Sequence, residues 1–137
     1  MAHYDVLVVG GGTGNNVAAA AADAGLDTAL IEKGPLGGTC LNRGCNPSKM
    51  LIQAATAANH VRDAGTFFME SALGHVDYEA IIDDMDETLS PIAEGMEERY
   101  REKDHLTLYK DEAVFVDDRT VEVGGEKVSA EKVVVAA

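Results

Sequence analysis

The chain has 137 residues, a length that fits one domain, and its 24 acidic against 11 basic side chains leave a formal net charge of −13. An acid excess of this size argues against a duplex-binding module, whose footprint is basic. Apolar residues make up 46% of the sequence, enough to bury a core and unlike a disordered chain. No apolar run approaches the ~18 to 20 residues of a membrane span, and the N-terminus lacks the basic stretch and cleavage site of a secretion signal. The expectation is a cytoplasmic protein with neither membrane nor nucleic acid as partner.

The acids are unevenly spread. Met1 to Ile52 holds four acids and three bases, whereas Gln53 to Ala137 holds twenty acids and eight bases. This reads as a solvated, mutually repelling surface, and more specifically as adaptation to high salt, where screening shortens the range of that repulsion.

Tyr4 to Val9 is a short apolar run that stops at Gly10-Gly11-Gly12, as a buried parallel strand does. Asn15 to Ala24 is dominated by alanine, the best helix former, with Gly25 as its stop. Asp27 to Glu32 gives a second apolar strand, completing a βαβ unit. Gly34 to Gly38 then reads as a loop. Beyond Pro47, the residues Met50, Leu51, Ala54, Ala55, Ala58 and Val61 share one face of a helix that ends near Arg62. A second helix is expected from Asp77 to Arg101, its apolar stripe from Tyr78 to Met96 read as core, with Pro91 bending or restarting it.

From Leu106 the period becomes two. Leu106 to Tyr109, Ala113 to Val116, Thr120 to Val123 and Lys127 to Val128 read as short strands joined by the turns Asp117-Asp118 and Gly124-Gly125. Lys132 to Ala137 is a last apolar strand that would need a continuation. The pattern predicts an α/β, Rossmann-like domain over residues 1–137, with a βαβ start, a helical insert and a small antiparallel β-meander.

Gly10, Gly12 and Asn15 occupy the three marked places of G-x-G-x-x-G, directly after a strand and at the opening of a helix. The first glycine permits the tight turn, and the second lets a pyrophosphate approach the backbone at a positive helix end. The third place holds Asn15, with an extra glycine at Gly14, a departure expected to move the helix outward. Glu32 ends the second strand about twenty residues on, where an acid accepts hydrogen bonds from an adenosine ribose. Together these features predict dinucleotide binding.

Cys40 and Cys45 form the second signal. Two cysteines are too few for a secreted disulfide framework, so the pair reads as chemical rather than structural. Five positions along a regular helix separate Cα atoms by about 8.7 Å, beyond the ~7 Å reach of a disulfide. Closure therefore needs an irregular backbone, which Gly44 and Pro47 supply. Asn46 and Pro47 read as the N-cap and first position of the next helix, placing Cys45 at a positive helix end that favours a thiolate, with Lys49 nearby. Two buried free thiols remain an alternative, and so does a metal site. His3, His60, His75 and His105 show no paired spacing to support a metal site.

The stretch Gly37 to Lys49 closely resembles the redox-active segment of the class I pyridine nucleotide-disulfide oxidoreductases, the family of dihydrolipoamide dehydrogenase, mycothione reductase, mercuric reductase and bis-γ-glutamylcystine reductase. The glycine loop, Glu32, the helical insert and the final strands follow the order of that family's FAD domain. The resemblance covers the whole chain but only the family's N-terminal portion, so a fragment or truncated product is expected.

The resemblance implies that Gly10, Gly11, Gly12, Thr13 and Gly14 cradle the FAD pyrophosphate, and that Glu32, with Lys33 beside it, meets the adenosine ribose. It further implies that Gly38 and Thr39 contact the ribityl and phosphate region, that Lys49 lies by the reactive flavin edge, and that the backbone at Ala113 meets the adenine. Asp111 stands where that family usually has glycine. Cys45 becomes the flavin-facing thiol and Cys40 the thiol that attacks a substrate disulfide. The implied reaction passes electrons from NAD(P)H through FAD to Cys40–Cys45 and on to a small disulfide, or in reverse from a dihydrolipoyl group, within a homodimer. A flavin monooxygenase would share the loop and Glu32 but would not need the cysteines. The non-enzyme alternative is a nucleotide-binding remnant or partner-binding module.

Overall fold

The apolar run near the N-terminus becomes β1 (Ala2–Val9), the centre of the molecule in the computed structural model, which describes all residues from Met1 to Ala137. Because side chains alternate along a strand, β1 feeds two cores. Val6 and Val8 face one side, with Ala18, Ala22, Leu30 and Leu36; Leu7 faces the other, with Ala29, Ile31, Val121 and Val128.

The first face is covered by α1 (Gly14–Asp23), whose buried Ala18 and Ala22 stand one turn apart. Their small size lets the helix lie close to the sheet. The helix closes with Gly25 N–H donating to the Ala22 carbonyl and Leu26 N–H to that of Ala21, the paired bonds of a Schellman end. The chain then returns as β2 (Thr28–Ile31), buried throughout and parallel to β1.

Next come α2 (Gly38–Asn42), α3 (Cys45–Asp63), a 3₁₀ turn (Ala64–Phe67) and α4 (Tyr78–Arg101). Asp77 caps α4 through its side chain, which accepts from Ala80 N–H at 3.0 Å. Strands β3 (Leu106–Tyr109), β4 (Ala113–Asp117), β5 (Thr120–Val123) and β6 (Glu126–Val135) follow. The six strands form one sheet in the order β3-β2-β1-β6-β5-β4. Neighbours from β3 to β6 are parallel, and the β6-β5-β4 end is antiparallel. β4 lies at an edge and exposes Val114, Phe115 and Val116.

Several expectations need correction. The Leu106–Tyr109 strand belongs to the parallel edge beside β2, not to the meander, because parallel partners come from distant sequence. The two strands expected at Lys127 and Lys132 are one strand, β6; its charged Glu131 and Lys132 are exposed and do not interrupt it. The short helix α2 follows directly on the expected loop. The helix α4 runs through Pro91 as one element rather than restarting there.

Candidate functional site

Immediately after β1 the chain turns at Gly10, whose φ is +110° and whose missing Cβ would lie 2.5 Å from the Ala136 carbonyl oxygen. Only glycine fits that corner. Gly10 N–H donates to the Ile31 carbonyl, tying the turn to β2. Thr13, the N-cap of α1, makes no side-chain cap bond, so the positive end of that helix is left open to an anion.

The glycine loop is joined directly to the cysteine segment. Gly37 N–H donates to the Gly11 carbonyl at 2.9 Å. At Gly38, with φ +60°, an added Cβ would stand 2.6 Å from the Gly12 Cα. The two backbones touch because both positions lack side chains. Leu41, at the far side of α2, is buried against Leu89 and Ala93 of α4, and Asn42 donates to the carbonyls of Leu36 (3.0 Å) and Gly38 (2.9 Å).

Glu32 stands at the end of β2 with each oxygen engaged. Oε2 accepts from Gly11 N–H and Oε1 from Gly34 N–H, both at 2.6 Å. It borders a cleft of about 260 Å³, also lined by Gly10, Gly12, Gly38, Thr39 and Arg43. An adjoining recess of about 160 Å³ shares Gly10, Glu32 and Ala137, and reaches Lys33, Glu112 and Ala113. The two make a groove that starts at the glycine loop and ends at the start of β4. Lys33 Nζ, expected toward a cofactor, is paired with Glu112 Oε1 at 2.8 Å in an exposed ion pair. Glu112 first, by hydrogen bond and by charge, holds the Lys33 ammonium above its ordinary pKa.

The cysteines flank a break between helices. Cys40 lies in α2 and Cys45 is the first residue of α3, with Arg43 and Gly44 between the two helices at φ −142° and −132°. The irregular backbone expected between them is present. Both are free thiols and both are exposed, which removes the alternative of two buried thiols. The Asn46 cap is corrected: Gly44 is the N-cap and no side chain caps α3. Ser48 hydroxyl instead turns back to the Cys45 carbonyl at 3.0 Å. The Cys45 thiol, by hydrogen bond above all, pushes the Cys40 thiol above its ordinary pKa, while the charge of Lys49 draws it down. Lys49 follows Cys45 four residues on in α3.

The structure thus gathers Gly10, Gly12, Glu32, Gly38 and Thr39 around the cleft, with Lys33 and Ala113 in the adjoining recess and Gly11 behind them, bonded to Glu32. Sequence reasoning missed Arg43, Asn42 and Pro35, which also line the cleft. The signal for the first two was their place inside the cysteine segment. No group of three or more His, Cys, Asp or Glu side chains is arranged to hold a metal ion, and no helix is long and apolar enough to cross a membrane.

Comparisons with known proteins agree with this geometry. The family model described as pyridine nucleotide-disulphide oxidoreductase matches residues 4–137. The chain is 37% identical over 130 residues to a dihydrolipoyl dehydrogenase of Chlamydia trachomatis, covering 94% of this chain and 28% of that protein. It is 34% identical over 135 residues to a mercuric reductase of Lysinibacillus sphaericus, covering 98% and 25%. A dihydrolipoyl dehydrogenase 2 of Haloarcula marismortui is 39% identical over 142 residues, covering 96% and 29%. The fold matches that of the HOCl-induced flavoprotein disulfide reductase RclA from Escherichia coli, with TM-score 0.79, 24% identity, and coverage of 97% of this chain and 28% of that one. The chain spans between a quarter and three-tenths of the length of these proteins. With a family match across nearly its entire length, the chain belongs to the pyridine nucleotide-disulphide oxidoreductases.

Proposed function

We propose that this chain is the FAD-binding, redox-dithiol portion of an NAD(P)H-linked disulfide oxidoreductase that acts on a small disulfide or dihydrolipoyl compound. The observation that carries this reading is the contact of the Gly11–Gly12 backbone with Gly37 and Gly38, which fixes a dithiol segment at the mouth of a groove built for a nucleotide. The residues fit the cofactor: a glycine cradle that a Cβ would fill, an open helix end and a carboxylate at the neighbouring strand end.

In this reading the backbone at Gly10 to Gly14 meets the pyrophosphate, Glu32 accepts from the adenosine ribose, and Ala113 borders the adenine. Gly38 and Thr39 border the middle of the cofactor. FAD, when bound, supplies a two-electron link between a reduced nicotinamide and a disulfide. The chain's own chemistry is thiol–disulfide exchange. The Cys40 thiolate attacks one sulfur of the substrate disulfide, which releases one substrate thiolate and leaves a mixed disulfide. The Cys45 thiolate then attacks Cys40 Sγ, releases the second substrate thiol and closes Cys40–Cys45. Two protons pass to the departing thiolates, and the two electrons come from NAD(P)H. The charge of Lys49 works against the rise that Cys45 imposes on the Cys40 thiol. We assign the complete protein to a homodimer on the strength of the family resemblance, and to the cytoplasm because two cysteines are too few for a secreted disulfide framework.

The test is a titration of the chain with FAD followed by a thiol count. Reduced protein should show two reactive thiols, mild oxidation in the presence of FAD should remove both, and dithiothreitol should restore them. Cys45→Ala should retain one thiol throughout. Failure to bind FAD, or two thiols that persist under oxidation, overturns the proposal.

A further inference from the structure

A single chain of polar contacts runs from α4 to the glycine loop. Arg101 Nη2 bonds Glu97 Oε1 at 2.8 Å, and Glu97 Oε2 pairs with Lys110 Nζ at 3.1 Å. Lys110 Nζ also donates to the Gly34 carbonyl. Gly34 N–H then donates to Glu32 Oε1, and Glu32 Oε2 accepts from Gly11 N–H. Glu97 and Lys110 are largely sheltered, with side chains 29% and 23% exposed. The Arg101 and Lys110 cations, Arg101 first, hold the Glu97 carboxyl below its ordinary pKa, so Glu97 is charged at neutral pH.

Gly34 is the weak point of this chain. It has no side chain, and Pro35 after it has no N–H with which to anchor the connection. Its position is set by Lys110 on its carbonyl and Glu32 on its amide. A carboxylate oxygen bonded to one backbone N–H keeps capacity for a second donor, so both oxygens of Glu32 remain able to accept from a vicinal diol. The direction in which that capacity points depends on Gly34.

We propose that Lys110 and Glu97 are positioning residues for ribose recognition: acting through the Gly34 carbonyl, they hold the Glu32 carboxylate in the orientation that selects a nucleotide with free ribose hydroxyls. This inference rests on the nucleotide-binding reading given above and extends it to two residues outside the groove's glycine loop. Glu97 acts on the site from α4 and Lys110 from the connection between β3 and β4, both far from Gly34 in sequence. Neither side chain need touch the nucleotide.

The experiment is calorimetric titration of the 137-residue chain with ADP and with 2′,3′-dideoxy-ADP, which lacks the hydroxyls. Wild type should prefer ADP by about tenfold or more, the worth of hydrogen bonds to a charged group. Lys110→Met and Glu97→Gln should lose most of that preference, and Lys110→Arg, which can still meet both Gly34 and Glu97, should keep most of it. Lys103→Met, which removes another sheltered lysine from its ion pair with Asp23, should leave the preference unchanged. If Lys110→Met does not fold by circular dichroism, Glu97→Gln, close in shape to the native residue, carries the same expectation. A preference kept in both variants, even with both ligands weakened equally, overturns the positioning role. A wild type that binds ADP no better than its dideoxy analogue refutes the role of Glu32 itself, and this inference with it.

Discussion

Gly38 shows how a single missing side chain joins two functional segments. Its φ of +60° and the 2.6 Å gap between its would-be Cβ and the Gly12 Cα leave no room for alanine without moving backbone. Gly38→Ala should cost about 2–5 kcal/mol of stability, from backbone strain and overpacking together, and should weaken FAD binding; urea unfolding and a cofactor titration measure the two effects. An unchanged unfolding midpoint would show that the loops separate easily. At this scale the sequence was readable wherever the signal is local. Gly10, Gly12, Glu32, Cys40 and Cys45 announce themselves by spacing and by their place at the end of a strand or the start of a helix. Lys110 does not, because its significance comes from a carbonyl 76 residues away. The ion pair of Lys33 was illegible for the same reason, its partner Glu112 being 79 residues distant.

Among the elements, α4 buries only part of the stripe that the spacing reads as core: Leu89 is buried, together with Ala93, which the stripe did not include, whereas Tyr78 and Ile92 are exposed, and the helix passes through Pro91 without ending. A proline inside a helix removes one backbone hydrogen bond, here the one that would reach the Glu87 carbonyl, and crowds the preceding turn. Packing of the stripe against α2 and the sheet outweighs that loss. Pro91→Ala, at an exposed position, should therefore stabilise the protein by about 1–3 kcal/mol, seen as a higher urea midpoint; a lower midpoint would mean that the ring itself packs usefully. Strand existence was legible from the period of two, but strand partnership was not. Leu106–Tyr109 looks like the first strand of a meander because its neighbours in sequence are strands, and only the tertiary fold sends it across to β2. The five-residue α2 is too short to show a helical period at all.

Across the whole molecule, charge is the dominant surface property. The net charge is −13, and the ion pairs formed are mostly exposed ones such as Lys33–Glu112 and Arg119–Asp118, each contributing little. Self-repulsion is left largely unanswered by local pairing. Raising NaCl from dilute buffer to 1 M, where the Debye length falls to ~3 Å, should raise the melting temperature by roughly 5 °C or more. A flat or falling series in differential scanning calorimetry would remove the idea of adaptation to high salt. The sheet edge at β4 gives the same experiment a second face. Val114, Phe115 and Val116 stand exposed in succession on a strand with one open side, the kind of border at which separate molecules zip together. Mutual repulsion between strongly anionic copies keeps those borders apart, so the salt that steadies each molecule also lowers the colloidal barrier between molecules, and turbidity should appear first in the most concentrated samples.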